Sequence, residues 1–524
     1  MTTTSDIPNL FDDNGSGHDY YDRKGSFIVF LEKFQDKSFG KINLVPTLSN
    51  FHRMADLARF GLSLFGKDIP NTIQNFLPQN QTSLLLGFQE YLGAIRTQLS
   101  NTSLSVSDPK HELTDTLTIL DKNSSSISKG DVLRLLGVLS DGCFAGPNTF
   151  HMDISNLCNT NCIFCGLHSP LLKPAAPGSM GRRFVEGWKT SQISWEEFTS
   201  ILSDLQELRH VSDLLLTGEG EPLTHPRIKE MIRVACSASI PVTLFTNGLL
   251  FDDDWINFIL DAVPSILYWS LSASTENTFL KLQPSQQKGI FPKMVNAFSE
   301  LCSRKGKSRP YVICAHVINN ENAHEVESIF DLAVKTGVNA VRYQIMHACS
   351  STDILLPNPN QIDELIKTLE RIKAKARNKG IDIVANIDYQ LHQAKYALNN
   401  DAPVFHWSRN LFEQTGCLVG WYFARCFSDG RLSFCCHDKI IGNLKRGSFR
   451  STFQSEKYRR IRQAAKAFAP DKMNPDLTDD CCGSTLIDSE CSFCGNYEFM
   501  VSAQNDLQRL ELIKYLKREP LLWP

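Results

Sequence analysis

Three closely spaced cysteines, Cys158, Cys162 and Cys165, limit what this chain can fold into more than any other feature. From His151 to His168 the sequence reads HMDISNLCNTNCIFCGLH, so the cysteines are spaced C-x3-C-x2-C. Iron–sulfur clusters are held by cysteine thiolates, and a cubane usually takes four. Three protein ligands therefore leave one iron open to a ligand that is not protein. Structural zinc is disfavoured, because it needs a second cysteine pair or histidines nearby, and the next fifty residues supply no such pair.

Composition limits the class of protein and its compartment. A chain of 524 residues is expected to form two or three domains. Its 42% hydrophobic and 21% charged residues are typical of a soluble globular protein, and a formal charge of −3 predicts no nucleic-acid partner. The polar, acidic start is unlike a signal peptide, and no apolar run reaches membrane-spanning length. We therefore expect a cytoplasmic protein without a membrane partner.

The spacing of apolar residues divides the chain into regions. Residues 1–24 are polar and predict a disordered tail, and residues 25–145 show mostly helical spacing. From Thr149 short apolar strands alternate with amphipathic helices, which is typical of an α/β parallel sheet. Ser194 and Glu197 form a capping box that predicts a helix start. The predicted strands are 150–154, 214–217, 242–246, 266–272, 311–317 and 340–346.

Polar motifs follow several of these strands. They are Leu216-Thr-Gly-Glu-Gly-Glu-Pro-Leu223 after the second, Thr246-Asn-Gly248 after the third and Ser270-Leu-Ser272 at the end of the fourth. In barrels of parallel strands, chemistry sits at the carboxyl ends of the strands. Together with the cysteine loop, these motifs resemble those of the radical S-adenosylmethionine (SAM) enzymes.

That resemblance implies a fold, cofactors and a chemistry. The fold is α/β, a partial (β/α)6 TIM-type barrel over residues 146–390, preceded by the helical region. The cofactors are a 4Fe–4S cluster on Cys158, Cys162 and Cys165 and SAM chelated at the open iron. Cleavage of SAM releases a 5′-deoxyadenosyl radical that abstracts hydrogen from the substrate. The residues implied to bind SAM are Gly218, Gly220, Glu221, Pro222, Asn247 and Ser272.

One position departs from the family pattern. Many relatives carry an arginine about ten residues after the fourth strand, where it binds the SAM carboxylate. This sequence reads Lys281-Leu-Gln-Pro284, which places Gln283 there. Glutamine donates hydrogen bonds but offers neither the charge nor the fork of a guanidinium. Lys281 and Arg342 are the alternative donors.

A second set of cysteines lies near the C-terminus, where residues 417–494 hold eight of the sixteen. Asp429-Gly430 between two strand-like runs predicts a hairpin. The region resembles the SPASM or twitch extensions of radical SAM enzymes, and the four-cysteine twitch form fits better. This implies a small α+β domain at 410–500, with an auxiliary 4Fe–4S cluster, followed by a C-terminal helix at 501–524. The implied ligands are Cys417, Cys435, Cys491 and Cys494.

Alternatives for this second set remain open. Cys436 is able to replace Cys435, because neighbouring side chains on a strand point oppositely. Zinc is the rival metal, since two C-x2-C-like halves are common in structural zinc sites. Cys426, Cys481 and Cys482 are either spare thiols or ligands of a partial second cluster.

The resemblance implies an oxidoreductase that uses the auxiliary cluster as electron acceptor. The expected substrate is a small sugar-like molecule or, somewhat less favoured, a peptide, and the expected electron donor is a flavodoxin or ferredoxin. The alternatives are a maturase that recognises a protein partner through the helical region, and a cluster-bearing protein that has lost radical chemistry. The sequence assigns no catalytic base; Tyr343, His347 and Tyr422 are candidates without a supporting motif.

Overall fold

A computed structural model describes most residues between 129 and 516. The longer gaps are 174–184, 396–411 and 468–493, and short gaps of one to three residues fall elsewhere. The predicted tail at 1–24 and nearly all of the predicted helical region at 25–145 lie outside the described residues. The described end of that region is helix α1, Lys129–Ser140.

Ten strands of the described chain form one sheet in the order β10-β9-β8-β1-β2-β3-β4-β5-β6-β7. They are β1 Thr149–Asp153, β2 Asp213–Thr217, β3 Val242–Thr246, β4 Ile266–Ser270, β5 Tyr311–Ile318, β6 Ala340–Ile345, β7 Asp382–Val384, β8 Phe423–Cys426, β9 Arg431–Ser433 and β10 Ile440–Asn443. Neighbours from β1 to β7 pair in parallel. The six predicted strands are confirmed, with bounds that differ by no more than two residues, and β7 is an addition.

Seven helices connect the parallel strands from β1 to β7, and four more follow β7 in the described part of the chain. They are α2 Trp195–Leu208, α3 Ile228–Ser237, α4 Asp253–Ala262, α5 Glu276–Leu282, α6 Ile290–Lys305, α7 Val326–Thr336, α8 Pro359–Lys379, α9 Val419–Tyr422, α10 Phe449–Phe453, α11 Glu456–Ala467 and α12 Tyr497–Arg509. The capping box of α2 is confirmed: Ser194 Oγ accepts from the Glu197 amide, and Glu197 Oε2 accepts from the Ser194 amide at 3.0 Å. No helix of the described residues is long and apolar enough to cross a membrane.

Side chains of β1 alternate between the helices and the inside of the barrel. Phe150 and Met152 are fully buried, and the Phe150 ring meets Phe449 of α10 at 4.6 Å. Because successive side chains of a strand point to opposite faces, His151 and Asp153 lie on the inner face. The partial barrel predicted from the sequence is thus present, with polar groups on its inner wall.

The predicted hairpin continues the barrel sheet instead of forming a separate one. β8 pairs in parallel with β1, with Arg425 opposite His151, and β9 returns antiparallel to β8. Gly430 takes a φ of 81° in the turn, a left-handed conformation that glycine adopts without strain. Helix α12 begins at Tyr497, four residues before the predicted C-terminal helix. The cysteines that follow the hairpin are therefore attached to the wall of the barrel.

Candidate metal centre and cofactor site

The cysteine loop follows β1 directly and is held by bonds to its surroundings. The Ile163 amide donates to the Leu282 carbonyl at 2.9 Å, and the Ser169 hydroxyl donates to the Ile163 carbonyl at 2.5 Å. The amides of Leu167 and His168 point at Cys165 Sγ, at 3.4 and 3.3 Å. Hydrogen bonds to a cluster's sulfur atoms tune its reduction potential, so these two amides are placed to act on a thiolate.

Burial and mutual repulsion raise the pKa of two thiols of this loop. Burial raises the pKa of Cys158 to about 12. Burial, followed by the nearby sulfur atoms of Cys165 and Cys158, raises the pKa of Cys162 further. Metal ligation requires the thiolate, so binding would release protons from the loop.

The three thiols of the cysteine loop lie close enough together to interact electrostatically with one another. Across the part of the chain that is described, no three histidine, cysteine or carboxylate side chains converge where one metal ion would bind. A cubane needs no such convergence, because each of its thiolates ligates a different iron. The three cysteines therefore fit the cluster that the resemblance implies.

The glycines of the loop after β2 lie against the backbone of the cysteine loop. The Gly220 amide donates to the Ser155 carbonyl at 2.9 Å, and the Glu221 amide donates to the Leu157 carbonyl at 2.7 Å. A Cβ on Gly220 would lie 2.1 Å from the Leu157 oxygen, and one on Gly218 would lie 2.4 Å from the Ser155 oxygen. In this structure, these glycines allow the loop after β2 to lie close to the backbone of the cysteine loop.

Glu221 and Asn247 join the ends of β2 and β3 to the cysteine loop. The buried Glu221 carboxylate accepts from the Thr246 hydroxyl at 2.8 Å, the Asn247 amide at 2.8 Å and the Leu223 amide at 3.2 Å. Burial raises its pKa to about 7 in spite of these bonds. The Asn247 side chain donates to Asn159 Oδ1 at 2.7 Å, between the first two cysteines.

Two further predicted positions have well-defined places. Pro222 begins a short 3-10 helix, Pro222–Thr224. Ser272 is buried after β4, where its hydroxyl accepts from the Val317 amide at 3.4 Å. The structure thus brings Gly218, Gly220, Glu221, Pro222 and Asn247 to the cysteine loop, and it ties Ser272 to the end of β5. Their contacts with SAM stay a prediction.

Gln283, which stands at the family's arginine position, is buried and accepts from the Thr160 hydroxyl at 3.0 Å. It therefore supports the cysteine loop. The alternative donors are engaged elsewhere: Lys281 pairs with Glu321, and Arg342 pairs with Glu498 of α12 at 3.0 Å.

The structure also shows a buried charge network that the sequence did not reveal. Arg425 of β8 donates through Nε and Nη2 to Asp153 Oδ2, at 2.9 and 2.6 Å. Its Nη2 also reaches Glu219 Oε1 at 3.2 Å, and its Nη1 donates to the Cys436 carbonyl at 2.9 Å. Trp188 Nε1 donates to the other Glu219 oxygen at 2.8 Å. One guanidinium thus joins β1, the loop after β2 and the second cysteine set.

The second cysteine set is partly described. Cys417, Cys435 and Cys494 are buried, whereas Cys481, Cys482 and Cys491 lie outside the described residues. A hydrogen bond with Cys436, together with burial, raises the pKa of Cys494 well above its ordinary value, and Cys417 adds to this. A hydrogen bond therefore links Cys494 to Cys436, and Cys417 lies near enough to act on it electrostatically. The ligand roles of Cys417, Cys435, Cys491 and Cys494 stay predictions.

Family models match both cysteine regions. A model of the radical SAM superfamily matches residues 152–333. A model of the SPASM iron–sulfur cluster-binding domain matches residues 417–483. The chain therefore contains a radical SAM domain and a SPASM iron–sulfur cluster-binding domain. The second match takes in Cys481 and Cys482, which the sequence left unassigned. These domains imply a 4Fe–4S cluster, SAM and auxiliary iron–sulfur binding, as expected from the motifs.

Curated relatives of low identity share this region. The tungsten-containing aldehyde ferredoxin oxidoreductase cofactor-modifying protein of Pyrococcus furiosus is 18% identical over 41% of this chain and 54% of its own length. The sporulation killing factor maturation protein SkfB of Bacillus subtilis is 23% identical over 57% of this chain and 62% of its own length. The PqqA peptide cyclase of Gluconobacter oxydans is 22% identical over 57% of this chain and 72% of its own length. The chain thus spans about half to three-fifths of the first two relatives.

Solved structures also align. Streptococcus suis SuiB bound to the precursor peptide SuiA gives a TM-score of 0.47 at 13% identity, covering 75% of this chain and 83% of that one. The enzyme anSMEcpe with bound AdoMet gives 0.43 at 14% identity, covering 70% and 98%.

Proposed function

We propose that this enzyme oxidises an unactivated C–H position in a peptide, with the auxiliary iron–sulfur site as the electron acceptor. The observation that carries the proposal is the Arg425 contact set. A single side chain binds the strand that leads into the first cysteine loop and the backbone of the second cysteine set. Arg425 therefore joins the strand before the first cysteine loop to Cys436 through the wall of the barrel, which suits a reaction that delivers an electron from the substrate to the second site.

A peptide substrate is preferred over the sugar-like substrate expected from the sequence. Two relatives carry names that support it: SkfB is a maturation protein for a killing factor, and the Gluconobacter oxydans protein is a peptide cyclase. The sugar-like expectation depends on the four-cysteine twitch form, because the resemblance implies that a single auxiliary cluster is typical of dehydrogenases with small substrates. The match to the SPASM domain weakens that argument.

The residues of the site have distinct tasks in this proposal. Cys158, Cys162 and Cys165 would hold the cluster, with the backbone amides after Cys165 supporting one thiolate. When bound, the cluster and SAM supply the 5′-deoxyadenosyl radical that removes hydrogen from the substrate. Glu221 fixes the loop after β3 through the Asn247 amide. Gly220 lets the loop after β2 stay against the cysteine loop.

Iron content and product analysis test the proposal. Anaerobically reconstituted protein should contain about eight irons per chain if each cysteine set holds one cubane. Replacing Cys158, Cys162 and Cys165 by alanine should remove about half of that iron and abolish 5′-deoxyadenosine formation with dithionite as reductant. Replacing Cys417 and Cys494 should remove the other half and leave 5′-deoxyadenosine formation intact.

The substrate is tested with peptides encoded beside the gene for this chain. Mass spectrometry should show the loss of two hydrogen atoms from one peptide, dependent on SAM. Unchanged peptides together with an oxidised monosaccharide would contradict the peptide proposal. If the second cysteine set binds zinc instead of iron, it does not serve as an electron acceptor. Failure to form 5′-deoxyadenosine would favour the alternative that the protein has lost radical chemistry.

We further propose that residues before Lys129 recognise the peptide and that a flavodoxin or ferredoxin supplies the initial electron. A truncation should end before α1, because Arg134 of that helix is buried and donates to the Gly146 carbonyl at 3.0 Å. Removal of residues 1–128 should weaken peptide binding and spare 5′-deoxyadenosine formation. Unchanged peptide affinity in the truncated protein would refute this role.

A further inference from the structure

His151 lies on the inner wall of the barrel beside the Arg425 network. Its side chain is 21% exposed, whereas that of Asp153 is completely buried. His151 Nε2 lies 3.0 Å from Asp153 Oδ1, and the Phe423 ring of β8 packs edge-on against the imidazole, with ring centres 5.9 Å apart. The imidazole is therefore fixed on two sides and accessible from the barrel interior.

The charge of Asp153 determines which nitrogen of His151 carries the proton. Burial by itself raises the pKa of Asp153, but the Arg425 guanidinium and His151 outweigh it and hold the pKa below its ordinary value. An ionised carboxylate only accepts hydrogen bonds, so Nε2 of His151 must be the donor. In the neutral imidazole Nδ1 then carries the lone pair. Within the described part of the chain, Nδ1 makes no hydrogen bond.

The tyrosines considered as bases are unsuited to accept a proton. Tyr343 is fully buried, and its hydroxyl donates to the Val326 carbonyl at 3.0 Å. Burial raises the pKa of Tyr343 and that of the buried Tyr422. Both oxygens of Glu221 already accept hydrogen bonds. His151 differs from all three, because its side chain is partly exposed on the inner wall of the barrel and its Nδ1 makes no hydrogen bond within the described residues.

We propose that His151 is the catalytic base and accepts the substrate proton through Nδ1, with Asp153 and Arg425 as positioning residues; this rests on the proposed function. When bound, SAM and the first cluster would supply the 5′-deoxyadenosyl radical, which would take one hydrogen atom from the substrate and become 5′-deoxyadenosine. The adjacent N–H, O–H or S–H group of the peptide loses its proton to His151. The auxiliary cluster that the second cysteine set would hold supplies the acceptor for the remaining electron, so the peptide would be oxidised by two electrons and a new bond would form between the carbon that lost hydrogen and the heteroatom that lost its proton.

Several charged groups surround this base. The titratable and charged groups on the elements packed around His151 are Asp153, Arg425, Glu219, Asp213 and Glu498. Asp213 of β2 lies on the same inner face as His151, closer to the amino-terminal ends of the strands. It serves as a matched acidic control. His324, an exposed residue of the 3-10 helix Ala323–Glu325, serves as a matched histidine control.

Product analysis of reconstituted holoenzyme tests the role of His151. With perdeuterated peptide, His151→Gln should still transfer deuterium into 5′-deoxyadenosine but should form about 100-fold less oxidised peptide, in the range expected for loss of a general base. Asp153→Asn should lose product by a comparable factor, and His324→Gln and Asp213→Asn should retain it. Iron content and the electron paramagnetic resonance signals of the clusters should stay unchanged in His151→Gln. Product within twofold of wild type in His151→Gln would overturn the proposal.

A second readout does not depend on turnover. In ¹⁵N-histidine-labelled protein, the imidazole signals missing from the His151→Gln spectrum belong to His151. We expect them to report the tautomer with hydrogen on Nε2, and Asp153→Asn should shift them toward the other tautomer. A wild-type signal with hydrogen on Nδ1 would overturn the proposal. If wild-type enzyme modifies no peptide, the proposed function fails, and this tautomer measurement still decides whether His151 is arranged as a base.

Discussion

Gly220→Ala tests whether contact between two loops is what makes the cofactor site. The added Cβ would lie 2.1 Å from the Leu157 oxygen and 2.5 Å from the Leu157 carbonyl carbon. Ordinary contact begins at 3.4 Å, so the loops must separate by about 1.3 Å. Backbone on both sides leaves no flexible side chain to move away.

Separating the loops should lower the free energy of unfolding and should lower the rate of SAM cleavage even more. It stretches the bonds from the Gly220 amide to Ser155 and from the Glu221 amide to Leu157. Overpacking of this kind costs about 1–3 kcal/mol, and each lost hydrogen bond adds about 1 kcal/mol. Because a displacement of about 1 Å in a positioned group lowers a rate by about 100-fold, we expect 5′-deoxyadenosine formation to fall by at least that factor.

Gly289→Ala is the matched control for this experiment. Gly289 caps α6 with a φ of 87°, and its added Cβ would meet nothing within 4 Å. Alanine there costs about 1–2 kcal/mol through backbone conformation alone and should leave 5′-deoxyadenosine formation unchanged. Thermal unfolding and single-turnover SAM cleavage measure the two effects separately. A Gly220→Ala enzyme with wild-type cleavage would refute the reasoning.

Three further predictions concern buried charges. Arg425→Met leaves two buried carboxylates without their guanidinium and should lower the free energy of unfolding by about 3–5 kcal/mol; Arg431→Met on the same hairpin should cost at most about 1 kcal/mol, and equal losses would refute this. Burial raises the pKa of Asp213 to about 6, so its stabilising contribution is present below its ordinary pKa and is lost as the pH rises through 6. Asp213→Asn should therefore be more stable than wild type by up to about 3 kcal/mol at pH 7.5 and by roughly half of that at pH 5, which thermal unfolding at both pH values checks. Glu221→Gln replaces an acceptor by a donor facing a backbone amide and should cost about 1–3 kcal/mol; iron retained with SAM cleavage reduced is the expected result, and unchanged cleavage would contradict it.

Local patterns in the sequence predicted most of the barrel. Alternation of apolar strands and helices located six strands, since the period of a buried strand is visible within five or six residues. The cysteine spacing and the motifs around Glu221 and Asn247 identified groups that do lie together. The sequence also predicted the turn at Gly430, because few residues other than glycine adopt its backbone conformation.

The sequence did not reveal what joins distant segments. Arg425 and Asp153 are 272 positions apart, and no local pattern indicates that one guanidinium serves two acids on different strands. The pairing of β8 with β1 was missed for the same reason, since edge pairing depends on which strand arrives beside β1. The partner of Gln283 is Thr160, which lies 123 positions away. Because the sequence does not show that these two residues meet, it suggests only a weakened cofactor contact for Gln283.

The pairing of β8 with β1 also has a consequence for biosynthesis. During translation, β1 emerges long before Phe423, so one of its edges waits without a hydrogen-bonding partner while some 270 residues are added. At ordinary elongation rates this interval lasts roughly 15 to 50 s. The nascent chain is exposed to misassembly throughout that time, and the cysteine loop behind β1 gains its finished surroundings only when β8, in the last fifth of the sequence, has left the ribosome.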